Sequence, residues 1–125
     1  MSESPAVVIH GIDTCDQVRK ARRWLREHAI EHRFHDFRRD GIEAAMLASW
    51  ASHVPWDSLL NRRGHAWRAL DVQARAAIVD QASAIEAMLA EPTLVKRPVL
   101  IAGEHVLVGF NPKLYESLLQ PPEAA

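Results

Sequence analysis

VVIHGIDTCDQVRKARRWL, residues 7–25, changes its periodicity half-way along. Its start, with Ala6 before it, is apolar and β-prone, which predicts a buried strand over Ala6 to His10. Gly11 breaks that run. Val18, Ala21, Trp24, Leu25 and His28 then recur at near-helical spacing, which predicts an amphipathic helix from Thr14 to about Ala29. Cys15, the only cysteine, stands between strand and helix. Thr14 and Gln17 have the S/T-x-x-E/Q spacing of a capping box, which makes Thr14 the expected N-cap and Cys15 the first helical residue. Its sulfur would then lie beside backbone N–H groups that lack helical partners, and those groups favour the nucleophilic thiolate. Two features oppose this. Asp13 and Asp16 flank Cys15, and a lone cysteine also serves as a small buried hydrophobe.

At 125 residues the chain is expected to be one domain over residues 1–125, large enough to bury a core without staples. A single cysteine excludes an internal disulfide framework and a cysteine-rich zinc site. MSESPAVVIH has neither the basic n-region nor the apolar run of a secretory signal, and no window approaches the length of a membrane span. A reducing, cytoplasmic location is expected. The net charge of -1 makes no general case for nucleic acid. Arg19, Lys20, Arg22, Arg23 and Arg26 do cluster on the polar faces of the first helix, where such runs are ordinarily solvated surface.

His32 to Phe37 reads as a second strand, completing a βαβ unit with parallel strands. His32 and His35, three apart, would point to opposite faces and make a poor metal pair. Arg38-Arg39-Asp40-Gly41 is a polar turn. From about residue 42 to 91 the pattern is helical. Ile42, Met46, Leu47 and Trp50 share one face, and Pro55 ends it. Leu59, Leu60, Trp67 and Leu70 are the next inward positions, with the polar Asn61-Arg62-Arg63-Gly64 between them. Gln73 to Glu91 is expected as two helices hinged near Ala82-Ser83, with Ile78, Ile85, Met88 and Leu89 in the core. Val99 to Ala102 and His105 to Val108 flank Gly103-Glu104, which suits a type II′ hairpin. Asn111 and Pro112 have the cap and first-position signature of a last helix, with Leu114, Leu118 and Leu119 inward and Pro121-Pro122 closing it. The order β-α-β, helical insertion, β-β-α is the thioredoxin arrangement: an α/β fold with a four-stranded mixed sheet covered by helices.

Four motifs stand in order along this pattern. They are Gly-x-x-x-Cys at 11–15, Arg-Lys-Ala-Arg-Arg-Trp-Leu at 19–25, Leu-Leu-Asn-Arg-Arg-Gly at 59–64 and Lys-Arg-Pro-Val at 96–99. Together they resemble the arsenate reductase (ArsC)/Spx family, most closely its YffB-like branch, from about Val7 to Leu119. The resemblance implies a glutathione-linked thiol reductase with Cys15 as nucleophile. Arg97 and a cis Pro98 would face Cys15, with Arg97 stabilising the thiolate or an anionic substrate. Thr14 would hold the cysteine loop. Asn61 occupies the position after the Leu-Leu pair, and Arg62, Arg63 and Lys96 would supply charge for glutathione carboxylates. Arg62 and Arg63 also read as two solvated loop residues, since surface arginines are common.

The chain departs from the family's arsenate pattern. Asn61 stands where arsenate reductases carry an arginine, Arg97 retains a second, and Gly109 lies near the place of a third. An oxyanion clamp needs dense positive charge, so arsenate is a second-rank substrate. Val18 stands where the Spx branch often has a second cysteine, which excludes a disulfide switch of that kind. A monothiol must be resolved by an outside thiol. The expected cosubstrate is glutathione, with a small-molecule or protein disulfide as substrate, glutaredoxin as a further candidate partner, and no metal, nucleotide or membrane. The alternatives are a true arsenate reductase and, in another class, a non-catalytic Spx-like regulator that binds RNA polymerase.

Overall fold

The computed structural model describes residues 7–119. In it the β-prone opening forms β1 (Val7–Gly11), and the amphipathic stretch forms α1 (Asp16–Glu27). There follow β2 (Arg33–Asp36), a single turn α2 (Phe37–Asp40), α3 (Ala44–Ala51), α4 (His65–Ala69), α5 (Val72–Ala76) and α6 (Gln81–Ala90). β3 (Val99–Ala102), β4 (His105–Val108) and α7 (Pro112–Leu118) complete the order. Ala6, Pro121 and Pro122 lie outside the described residues. The chain divides into two compact units, one running to Asp40 and resuming at Arg97, the other being Gly41–Lys96.

The first unit is a four-stranded sheet in the order β2-β1-β3-β4. β1 and β2 are parallel, and β3 is antiparallel to both β1 and β4. This is the mixed sheet of a thioredoxin-like fold. Register places Phe34, Ile9, Leu100 and Leu107 in one row across all four strands. α1 and α7 cover that row through Ala21, Leu25, Tyr115 and Leu119. The β3–β4 turn has Gly103 at φ 61, and Glu104 is not among the positive-φ residues, as a type II′ turn requires. α1 ends at Ala29, φ 56, where Ile30 N–H bonds Leu25 C=O and Ala29 N–H bonds Arg26 C=O. This Schellman closure sets Ile30 against Leu25 in the core and turns the chain into β2.

Several expected inward positions are corrected. His28 is exposed, with its ring stacked on Trp24 at 3.8 Å and its Nδ1 2.8 Å from Trp24 O. Leu114 is 41% exposed, because Tyr115 and Leu119, four apart, carry the buried stripe at the end of α7. Of the basic run, Arg22 is half-buried and lies 4.1 Å over the Phe34 ring, shielding the edge of the core with its guanidinium plane.

The second unit contains α3 to α6 and two 3-10 turns, Trp56–Leu59 and Pro92–Leu94. Leu47 and Trp50 of α3, Leu59, Leu60, Ala84, Met88, Leu94 and Val95 are its buried apolar residues. The hinge expected near Ala82-Ser83 lies instead at residues 77–80, because Asp80 caps α6. Its carboxylate accepts from Ser83 N–H, and Ser83 Oγ takes the Asp80 N–H, a reciprocal capping box that starts a helix at Gln81. Leu89 is exposed, since the buried stripe of this short helix runs through Ala84 and Met88, and Leu89 lies 100° round from Met88.

Candidate functional site

Cys15 is half-buried at the head of α1. A turn closed by Cys15 N–H to Ile12 C=O (3.0 Å) uses Asp13 and Thr14 as its corner. The first helical hydrogen bond runs from Arg19 N–H to Cys15 C=O. Cys15, with extended φ and ψ, is therefore the N-cap itself, and Thr14 is an exposed corner residue. This corrects the expected Thr14–Gln17 capping box: the turn delays helical geometry to Asp16, so Gln17 becomes the second helical residue instead of the third. The thiol occupies the position from which a cap side chain addresses the first-turn amides, although it accepts no hydrogen bond from them. Gly11 makes the approach possible. A Cβ there would lie 2.5 Å from Val18 Cγ2, against the buried face of α1.

Pro98 and the cysteine loop leave the same end of the sheet. Val99 pairs with His10, so Pro98 precedes the first residue of β3 as Gly11 follows His10 on β1. The Arg97–Pro98 peptide bond is cis, as the family resemblance implies. Pro98 is buried, and its C=O accepts from Gly109 N–H at 2.8 Å. Arg97 is half-buried.

His10, which the sequence reading passed over, sits at this end. It is 6% exposed, its Nδ1 lies 3.1 Å from Val99 O, and its ring is 5.0 Å from that of His35. Burial, reinforced by His35 and Arg33 and only partly offset by the Val99 hydrogen bond, lowers its pKa to about 4. A strand position paired with another histidine is visible only once β1 and β2 are in register. His32 instead turns its Nδ1 to Ile30 O, outside β2. Because the folded state keeps His10 neutral, its contribution is complete above the ordinary histidine value of 6.5. It is lost as pH falls from there to about 4. Unfolding free energy should drop across that window by at most about 3 kcal/mol, and His10→Leu should flatten the profile. Denaturant titrations at pH 7, 5.5 and 4 measure this; an unchanged slope in the variant would assign the acid sensitivity elsewhere.

In the second unit, the segments around Leu60 and Val95 form a short antiparallel bridge. Asn61 N–H bonds Leu94 C=O at 2.8 Å, and Lys96 N–H bonds Leu59 C=O at 2.7 Å. Beside it is a polar hollow of about 300 Å³ whose lining includes Asn61, Arg62, Arg63 and Lys96, four residues expected in the site. Asp57 and Ser58 also line it, and sequence reasoning missed both. The 3-10 turn after Pro55 carries them there, and no spacing rule links them to the motif that begins at Leu59. Asn61 Oδ1 accepts Arg63 N–H at 3.2 Å, and a Cβ at Gly64 would lie 2.5 Å from Asn61 Nδ2. This close turn presents the two arginines. Arg62 lies 5.4 Å over the Trp67 ring, with Nη1 3.5 Å from Asp57 O.

Comparison with known proteins bears on the whole of this arrangement. The model of the ArsC family matches residues 10–118. A functionally unassigned protein of Haemophilus influenzae is 39% identical over 111 residues, 89% of this chain and 96% of that one. Among solved structures, the YFFB protein is 44% identical with a TM-score of 0.86, covering 90% of this chain and 98% of its own. An arsenate reductase (ArsC) related protein from Brucella melitensis is 45% identical with a TM-score of 0.72, covering 94% and 98%. The global transcriptional regulator Spx of Streptococcus pyogenes is a more distant relative, 24% identical over 78% of this chain and 73% of its own.

Proposed function

Since the chain belongs to the ArsC family, we propose that it is a glutathione-dependent thiol reductase with one nucleophile, Cys15. The observation that carries this reading is the placement of a lone, half-buried cysteine at the head of α1, at the sheet end where the cis Arg97–Pro98 bond also lies. Cys15 thiolate attacks the glutathione sulfur of a mixed disulfide, forming a Cys15–glutathione disulfide and expelling the substrate thiolate. A second glutathione thiolate then attacks the glutathione sulfur of that adduct. Oxidised glutathione leaves and Cys15 thiolate is restored, so that one mixed disulfide and one free glutathione thiolate become one substrate thiolate and one oxidised glutathione. Thr14 shapes the cysteine loop, and Arg97, beside Pro98, supplies positive charge for the thiolate or an anionic substrate. Asn61, Arg62, Arg63 and Lys96 offer polar and cationic contacts to glutathione. This chemistry runs in a glutathione-reduced compartment, which makes the cytoplasm the proposed location.

Arsenate is the competing substrate, suggested by the name of the Brucella relative. Asn61 and Gly109 leave Arg97 as the one arginine of the three expected in an oxyanion clamp. With glutathione as reductant, a glutathionylated disulfide should turn over at least about tenfold faster than arsenate at equal concentration, the equivalent of one lost charge-assisted contact. Parallel assays of the two substrates decide. Equal or faster arsenate reduction would make arsenate the substrate, and no turnover of either would leave the reductase proposal without support.

A further inference from the structure

We infer that the hollow beside Asn61 receives the γ-glutamyl end of glutathione as a zwitterion, with Asp57 meeting its α-ammonium group and Arg63 and Lys96 its α-carboxylate. The inference rests on the glutathione reading and says which end of that molecule is recognised and by what. The lining carries both signs of charge, and they do not neutralise one another. Among the described residues, neither Asp57, Arg63 nor Lys96 takes part in an ion pair or in a side-chain hydrogen bond.

The two arginines are not equivalent. Arg62 is committed to the Trp67 ring and to Asp57 O, which leaves it a positioning role. Arg63 is at the corner of the turn that Asn61 ties and Gly64 permits, with its backbone C=O held by Arg68 Nη1 and its guanidinium uncommitted. Lys96 is anchored through its N–H to Leu59 on the facing segment, with its ammonium equally uncommitted. A polyanion would gain from the two cations but would be opposed by Asp57. An α-amino acid group has one ammonium and one carboxylate on a single carbon and answers all three charges. The glycyl end of glutathione offers only a carboxylate and leaves Asp57 unanswered. Recognition that uses both signs is also directional, because reversing the ligand places like charges together.

The test is an amide NMR titration of the full chain with S-methylglutathione, which binds without thiol chemistry, and with three relatives. These are its N-acetyl derivative, its glycyl ethyl ester, and γ-glutamylethylamide. S-methylglutathione should shift the amides of Asn61, Arg63 and Lys96, and γ-glutamylethylamide should shift the same set. N-acetylation, which removes the ammonium charge, should weaken binding about tenfold, and esterification less than about threefold. In Asp57→Asn the acetylation penalty should vanish. Asp57 is exposed and its side chain holds nothing in the fold, so that variant reads the contact and not stability. An acetylation penalty that is absent in the native chain, or unchanged in Asp57→Asn, overturns the proposal. Disulfide turnover with shifts that avoid the hollow would overturn it while leaving the reductase reading intact. Shifts in the hollow from γ-glutamylethylamide without disulfide turnover would leave the subsite standing and remove the reductase reading.

Discussion

Cys15→Ser should lower glutathione-dependent disulfide turnover by at least about a thousandfold while leaving the fold as stable or slightly more so. The loss follows from the inventory of nucleophiles. The chain has one cysteine, so no second thiol can take over either the attack or the covalent adduct. A serine hydroxyl is isosteric enough to fill the space, but it is not ionised at neutral pH and cannot form a disulfide. The stability side follows from where the cysteine sits. It is the N-cap of α1, with extended backbone and no side-chain hydrogen bond to the first turn. Serine is among the preferred residues at that position, and its oxygen can accept from the N–H of Gln17 or Val18, a gain of about 0.5–1 kcal/mol. Turnover assays paired with chemical denaturation separate the two effects. More than a tenth of native activity in the variant would exclude Cys15 as the nucleophile, and a large fall in stability would mean that the thiol holds the fold in place.

Tyr115 should show the largest structural effect, and an asymmetric one. It is fully buried between α7 and the sheet, edge-on to Trp24 at 5.5 Å and to Phe110 at 5.1 Å. Tyr115→Ala empties the centre of the cluster formed by Ile9, Leu25, Leu100 and Leu107 and should cost about 3–5 kcal/mol. The phenol oxygen contributes in the other direction. It is buried and makes no hydrogen bond among the described residues, and burial pushes its ionisation well above the ordinary tyrosine range. Removing a buried polar atom that has no partner relieves its desolvation cost, so Tyr115→Phe should be neutral or stabilising by up to about 1 kcal/mol. Denaturant midpoints of the two variants measure both. A destabilising Tyr115→Phe would show that the hydroxyl has a partner worth keeping.

Features whose signals are local were legible in advance. The β3–β4 hairpin lies at the expected residues because Gly103 tolerates the positive φ that its turn needs. Asn111 caps α7 as its side chain and the following proline foretell, accepting from Leu114 N–H. The α5–α6 break, expected near Ala82-Ser83, lies at residues 77–80 for a local reason as well. Asp80 and Ser83 form a capping box from residues other than the Ser/Thr and Glu/Gln pair, and a pattern search for that pair passes over it.

Fold class was determined by the sequence alone, as was the candidate nucleophile, because an apolar β-prone run, a 3.6-residue period and a single cysteine at their junction do not depend on distant residues. Which residue caps α1 was decided by the turn from Ile12 to Cys15, since its closure holds Asp13 and Thr14 at the corner and moves the cap one residue on, against the preference for threonine over cysteine at an N-cap. Tertiary structure also decided the site's charge pattern. Lys96 belongs with Asp57 and Arg63 only because the bridge between Leu60 and Val95 draws together segments more than thirty residues apart along the chain. Such pairings are set by the burial of Leu59, Leu60, Leu94 and Val95, and the polar residues they carry take their positions as a consequence of that packing.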